Sequence, residues 1–226
     1  PIIFGNELEQ WHVASAERFI IYIPKSTIDV LKYPAILERL SQFKSRLEQR
    51  AAKQEWFELQ QAQAAFESTY AGTKVVYRDI ANRPSFSVDS GSYIDMTCFC
   101  LKGASHYEAA LLGSNVLWFA LTSETTIARG GYFRMKSQYL RSLPIPLASE
   151  SQKNEIAAIA ESCQAAAERR HVLQRAPTRR IPDIAPIGAF TNLSNKLKKW
   201  WLLPDFAAFR SEVKRCLKAD IPLSER

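Results

Sequence analysis

The spacing of apolar and polar positions changes several times along the chain. Phe19-Ile20-Ile21-Tyr22-Ile23 is an unbroken apolar run of β-branched and aromatic residues that stops at Pro24, which predicts a buried strand. From Pro34 the period lengthens. Ile36, Leu37, Leu40, Phe43 and Leu47 recur at helical spacing while Arg39, Lys44, Arg46 and Arg50 take other faces, so an amphipathic helix of roughly four turns is expected. Lys74-Val75-Val76-Tyr77 and the stretch from Tyr93 to Leu101 read as strands, with turns at Asn82-Arg83-Pro84 and Ser90-Gly91-Ser92 between them. His106 to Leu121 predicts a mostly buried helix carrying Leu111, Leu112, Val116, Leu117, Trp118 and Phe119. Trp56, Phe57, Trp118 and Phe119 are expected in the core, because burying their large apolar area stabilises the fold most.

Gly130-Gly131 breaks the chain before Tyr132-Phe133-Arg134-Met135-Lys136, and a strand is expected to end at Leu143-Pro144-Ile145-Pro146, where two prolines cannot continue a ladder. This places a boundary near residue 148. Ser149 with Gln152 forms a capping-box pattern, and Ile156, Ile159, Ala160, Cys163 and Ala167 make a narrow stripe ending among Arg169, Arg170 and His171. A linker from Pro177 to Pro186 then leads to a last helical stretch with Trp200, Trp201, Phe206, Phe209, Val213 and Leu217. The expected fold class is α+β: a mixed or antiparallel, β-rich domain with flanking helices over residues 1–148, then a helical spacer and C-terminal helical segment over 149–226.

Composition narrows the field. At 226 residues with 46% apolar and 23% charged side chains, the chain can bury one sizeable core or two small ones. No apolar run approaches the roughly 18 residues of a membrane span, and the N-terminus lacks a secretory layout, so cytoplasm is the expected compartment. The opening Pro1 and the closing Leu223-Ser224-Glu225-Arg226 suggest a piece of a longer polypeptide. Cys98, Cys100, Cys163 and Cys216 show no paired metal-ligand spacing and are expected to be reduced packing residues, with Cys98 and Cys100 on one strand face. The net charge is +7. Residues 149–226 carry 14 Lys/Arg against 9 Asp/Glu, whereas residues 1–148 carry 16 against 14. A basic protein is predisposed to meet phosphate, and a solvated helical surface explains the same excess.

Catalytic patterns are sparse. Pro204-Asp205 with Glu212-Val213-Lys214 has the letters of a metal-dependent nuclease, but Phe206, Phe209, Val213 and Leu217 share one face of a helix, on which Glu212 and Lys214 point about 200° apart. Gly130-Gly131 lacks the flanking pattern of a phosphate-binding loop and reads as a positive-φ turn, and no nucleophile elbow occurs. A basic and aromatic cluster is left: Lys74, Tyr77, Arg78 and Arg83 near one strand, then Arg129, Tyr132, Arg134, Lys136 and Gln138 around the glycine turn. Arginine and glutamine can read purine edges bidentately, while lysine and tyrosine suit phosphates. Ordinary surface charge is the alternative reading of that cluster.

The order of segments carries a resemblance. Tyr33-Pro34-Ala35-Ile36-Leu37, Phe43-Lys44-Ser45-Arg46-Leu47-Glu48-Gln49-Arg50, Glu55-Trp56-Phe57-Glu58-Leu59-Gln60, Lys74-Val75-Val76-Tyr77-Arg78-Asp79-Ile80, Gly130-Gly131-Tyr132-Phe133-Arg134-Met135-Lys136 and Leu143-Pro144-Ile145-Pro146 come in a recognisable order and spacing. From Ile20 to Pro146 the chain resembles the TaqI-like C-terminal specificity domain, the target-recognition domain of type IIG restriction-modification enzymes and adenine-N6 DNA methyltransferases. Leu193 to Arg226 resembles the segment C-terminal to this domain in large enzymes of that group, and the helix from Ser149 to His171 resembles the spacer helix of type I specificity subunits. The resemblance implies a non-catalytic domain that docks on double-stranded DNA and selects a short sequence for a methyltransferase domain upstream in the same parent chain. That domain, and with it S-adenosylmethionine, is expected outside this chain, since no N/D-P-P-Y-type tetrapeptide or glycine-rich cofactor loop occurs; no cofactor and no membrane partner are expected here. Two positions depart from the pattern: Phe4-Gly5-Asn6-Glu7-Leu8 lacks the arginines common in that family, and Gly113 stands where asparagine is common. Two other readings stay open, a structural or protein-interaction domain assembling through its C-terminal helices, and a nuclease using Asp205 and Glu212.

Overall fold

A computed structural model describes residues 1–13, 18–51, 54–60, 62, 66–128, 130–186 and 192–218. The chain is α+β and divides into two compact units, Pro1–Ser162 and Cys163–Arg226. The first unit runs through β1 (Ile2–Ile3), β2 (Leu8–Glu9), β3 (His12–Val13), α1 (Pro34–Ser41), α2 (Lys44–Leu47), α3 (Glu67–Ala71), β4 (Thr73–Arg78), β5 (Ile80–Ala81), β6 (Ser87–Ser90), β7 (Tyr93–Ile94), β8 (Cys98–Lys102), α4 (His106–Leu112), α5 (Asn115–Glu124), β9 (Ile127–Ala128), β10 (Tyr132–Arg134) and α6 (Ser137–Arg141). The long helix α7 (Glu150–Arg180) contains the division between the units, and the second unit adds 3₁₀ turns at Ile181–Ile184 and Leu197–Leu202 and the helix α8 (Phe206–Leu217).

The first unit is organised around β4, which lies between β6 and β8 in an antiparallel sheet. Side chains alternate across a strand, and here both faces are covered. Val75 and Tyr77 enter a core with Phe86, Leu112, Leu121 and Met135, while Val76 packs in a second cluster with Ile3, Leu8 and Cys98. A second antiparallel sheet has the order β5-β10-β9, and β1 and β7 form a parallel pair. Cys98 and Cys100 do share a strand face; Cys98 is buried, Cys100 and Cys216 are half-buried, and Cys163 is exposed, all as free thiols. Burial pushes the Cys98 thiol up to about 12.

Several expected elements take another form. Phe19–Ile23 is not a strand. The Leu59 N–H donates to the Ile23 carbonyl (2.9 Å) and, just before the run, the Ile2 N–H donates to the Arg18 carbonyl (3.1 Å), while β1 forms its ladder with β7. Ile23 is buried, and Phe19 and Ile21 are exposed. The four-turn helix is two short ones, α1 and α2, parted at Gln42-Phe43; the Ser41 hydroxyl donates to the Glu38 carbonyl (2.7 Å), a local bond that competes with helix continuation. The strand expected from Tyr93 to Leu101 is cut by a turn in which Asp95 Oδ1 accepts from the Thr97 N–H (3.0 Å).

The helix expected from His106 to Leu121 breaks at Gly113-Ser114, where the Ser114 hydroxyl caps α5 by accepting from the Leu117 N–H. This rotates Phe119 out of the core to 73% exposure, while Trp118 packs edge-on against Phe133 at 6.2 Å between ring centres. Gly113 has its own reason: a Cβ there would collide with the Gln10 amide, whose Oε1 accepts from the Phe86 N–H (3.0 Å). The segment leading to Pro144 is not the expected strand but α6, with Leu140 and Leu143 buried. The Ser149–Gln152 capping box forms. Beyond it α7 passes His171 and continues through Pro177 to Arg180, with Ala160 and Ala167 buried, Ile156 half-buried, and Ile159 and Cys163 exposed, so two of the five expected stripe positions face solvent.

The second unit has its own core of Ile181, Leu197, Val213 and Leu217, with Trp200 and Phe209 packed against it. The Trp200 indole N–H donates to the Gln174 carbonyl and to Thr178 Oγ1, both at 3.1 Å. Its last helical stretch is two elements parted at Leu203-Pro204. Asp205 starts α8 by accepting from the Ala208 N–H at 2.7 Å.

Candidate nucleic-acid interface

The three-stranded sheet brings the basic residues together. Arg134 on β10 sits opposite Ile80 on β5, and Phe133 opposite Ala81, while the Met135 N–H donates to the Asp79 carbonyl at 2.7 Å. Residues separated by about fifty positions in the chain thereby share one surface region. The hairpin that carries them turns on Gly130 and Gly131, both at positive φ (78° and 77°), a backbone that L side chains rarely adopt. The expectation of a positive-φ turn there holds.

Arg83, Tyr132, Arg134, Lys136 and Gln138 are exposed. Arg83 pairs with Glu9 (3.3 Å) and Arg134 with Asp79 (3.6 Å), both at the surface. Arg78 lies deeper: its guanidinium donates to the Leu8 carbonyl, and burial, then the like charge of Arg83, holds it below its ordinary range. Tyr132 adds to the same electrostatic environment. An open cleft of about 340 Å³ beside them is lined by Phe4, Arg78, Asp79, Ile80, Asp95 and Thr97, among others.

Two expected members do not belong to this surface. Lys74 is 0% exposed: its ammonium donates to Asp89 Oδ2 (2.6 Å) and to the Tyr70 carbonyl (2.9 Å), opposite Asp89 in the β4–β6 register. Tyr77 is 1% exposed and stacks between Phe86 and Phe99 in the core, where burial raises its hydroxyl pKa. Both are excluded from ligand contact because β4 is central and covered on both faces. Arg129 lies outside the described residues. Of the acceptors that hold the exposed arginines, Asp79 stands inside the basic cluster in the sequence itself, whereas Glu9 reaches Arg83 only through the fold.

The nuclease letters have structural employment. Asp205 caps α8, and Glu212 is buried on that helix, accepting from Arg215 and from the Ser194 hydroxyl (2.6 Å). Arg215 first, then Ser194, pulls its carboxyl down to about 2. Among the described residues no group of His, Cys, Asp and Glu is arranged to hold a metal ion, and no helix is long and apolar enough to cross a membrane.

A family model described as a domain of unknown function (DUF8810) matches residues 149–226, the part that begins at the α7 capping box. No curated protein matches the chain.

Proposed function

We propose that the chain is a non-catalytic DNA sequence-recognition domain of a type IIG restriction-modification enzyme or adenine-specific DNA methyltransferase. In this reading it positions an upstream methyltransferase domain, which holds S-adenosylmethionine, on its target site. The observation that carries the reading is the β5–β10 pairing, which sets the exposed Tyr132 and Arg134 of β10 beside β5, with Arg83 two residues beyond β5 and Lys136 and Gln138 next along the chain from β10. Arginine reads guanine O6 and N7 bidentately, and a carboxylate such as Asp79 can accept from the exocyclic amine of cytosine. Exposed ion pairs contribute only about 0–1 kcal/mol, so exchanging Glu9 or Asp79 for a phosphate or a base edge costs the folded protein little.

The test is selection of bound duplexes from a random pool at two salt concentrations, with Arg134→Gln/Lys136→Gln beside the parent protein. The reading expects an enriched motif, salt-sensitive affinity, and in the variant weaker binding at unchanged melting temperature, with the salt slope lowered by about 1 for each phosphate no longer neutralised. Binding that is equal for both proteins and enriches no motif removes it. One observation favours a protein-interaction domain instead: α7 leaves Ile159, Val172 and Leu173 exposed. That reading expects concentration-dependent self-association or partner capture that Val172→Glu/Leu173→Glu abolishes.

A further inference from the structure

The second unit carries a positive surface of a different make. Residues 192–218 hold seven Lys/Arg against two Asp/Glu, and one of those acids, Glu212, is buried and held by Arg215 and Ser194. The segment Leu197–Leu202 is two short 3₁₀ pieces joined at a kink, with non-helical backbone at Lys199 (φ −128°, ψ 43°); Leu197 is buried, and Trp200 and Leu203 are half-buried. Lys198, Lys199, Trp201 and Leu202, next to one another in the chain, are left outside the unit's core. All four side chains are exposed, Leu202 to 70%. Among the described residues neither lysine forms an ion pair, unlike Arg83 and Arg134 in the first unit. Among the described residues the two cations are thus exposed and unpaired, two to four positions from the exposed Trp201 and Leu202 in the chain.

We infer that this Lys198–Lys199–Trp201 surface binds the phosphodiester backbone of nucleic acid without reading sequence. The lysines neutralise phosphates and release counterions, and the Trp201 ring packs on a sugar or base. A lipid surface fits less well, because an interfacial helix must offer a continuous apolar face to the membrane. The apolar face of α8, through Phe209, Val213 and Leu217, is spent on the unit's own core. This goes beyond the recognition sheet: it is a second contact, in the other unit, and gives affinity rather than selectivity.

The experiment uses the whole chain, with a fluorescent random-sequence duplex titrated across a range of salt for the parent protein, Lys198→Glu/Lys199→Glu, and Arg134→Gln/Lys136→Gln. For charge reversal at 198 and 199 we expect a loss of at least ten-fold in affinity at low salt, a log–log salt slope shallower by about 2, and an unaltered melting temperature. Motif enrichment, where the parent has it, is expected to persist. If charge reversal lowers the melting temperature, Lys198→Gln/Lys199→Gln replaces it, with the same slope change expected. Affinity and slope within two-fold of the parent overturn the inference whatever the sheet variant does. Loss of binding to phosphatidylglycerol vesicles with duplex binding intact overturns it in favour of a membrane surface. A defect only in the Arg134/Lys136 variant leaves the recognition reading standing and removes this one.

Discussion

Lys74 and Arg134 look alike in the sequence, each a basic residue on a strand among aromatic neighbours, yet one lies in the core and the other at the surface. The difference is set by which strand is central, and that is not local information. A buried ammonium needs a partner, and Asp89 supplies it one strand over. Lys74→Met is therefore expected to lower stability by up to about 3 kcal/mol, through the loss of the ammonium opposite the half-buried Asp89 carboxylate, which keeps its bonds from Ser92, with any DNA affinity per folded molecule unchanged. Chemical denaturation read beside a DNA titration checks both halves; a DNA-binding defect at full stability would return Lys74 to the interface. Gly113 teaches the same lesson in reverse. In the sequence it is only a glycine inside an apolar helical stretch, whereas in the fold the absent Cβ leaves room for Gln10, which lies about a hundred positions earlier.

At the scale of elements, those set by local chemistry were legible. The β4 strand, the Gly130-Gly131 turn and the Ser149–Gln152 cap arise from β-branching, backbone freedom and side-chain acceptors. Periodicity overran real boundaries, however, because it does not register a hydroxyl or carboxylate that bonds nearby backbone, as Ser41, Asp95 and Ser114 do. The second unit's best-defined polar contact also belongs to an element. Glu212 on α8 has a carboxyl depressed from the usual carboxylate range to about 2 by Arg215 and Ser194. A depressed folded-state pKa stabilises the charged form, so the contribution is complete above the unfolded value near 4.5 and is lost as pH falls toward 2. Glu212→Gln is expected to flatten the acid limb of stability against pH for the second unit, measured by thermal melts between pH 2 and pH 6; an unchanged limb would mean the contact contributes nothing in solution.

At the scale of the whole molecule, the sequence conveyed the α+β class, the helical C-terminal part and the uneven charge, all of which are sums over many residues. The proline pair and the capping box point to residue 148, where the segment matched by the family model also begins, while the two compact units divide inside α7 at Ser162/Cys163, because a helix can begin in one core and end in another. With separate clusters around Tyr77 and Val213, calorimetry is expected to resolve two transitions. Leu121→Ala should lower only the first unit's transition and Val213→Ala only the second's, each by the roughly 2–5 kcal/mol that a large core truncation costs or somewhat less for valine. One transition shifted by both variants would mean a single cooperative body.

The four thiols have a practical consequence. Reactivity tracks thiolate character and access, and Cys98 has neither, being buried with its thiol pushed up to about 12, while Cys163 stands in solvent at the first position of the second unit. The native chain thus offers one well-exposed attachment point for a maleimide dye. A fluorophore placed there would follow the proposed nucleic-acid binding in real time, with the β5–β10 sheet and Lys198 and Lys199 all left unmodified.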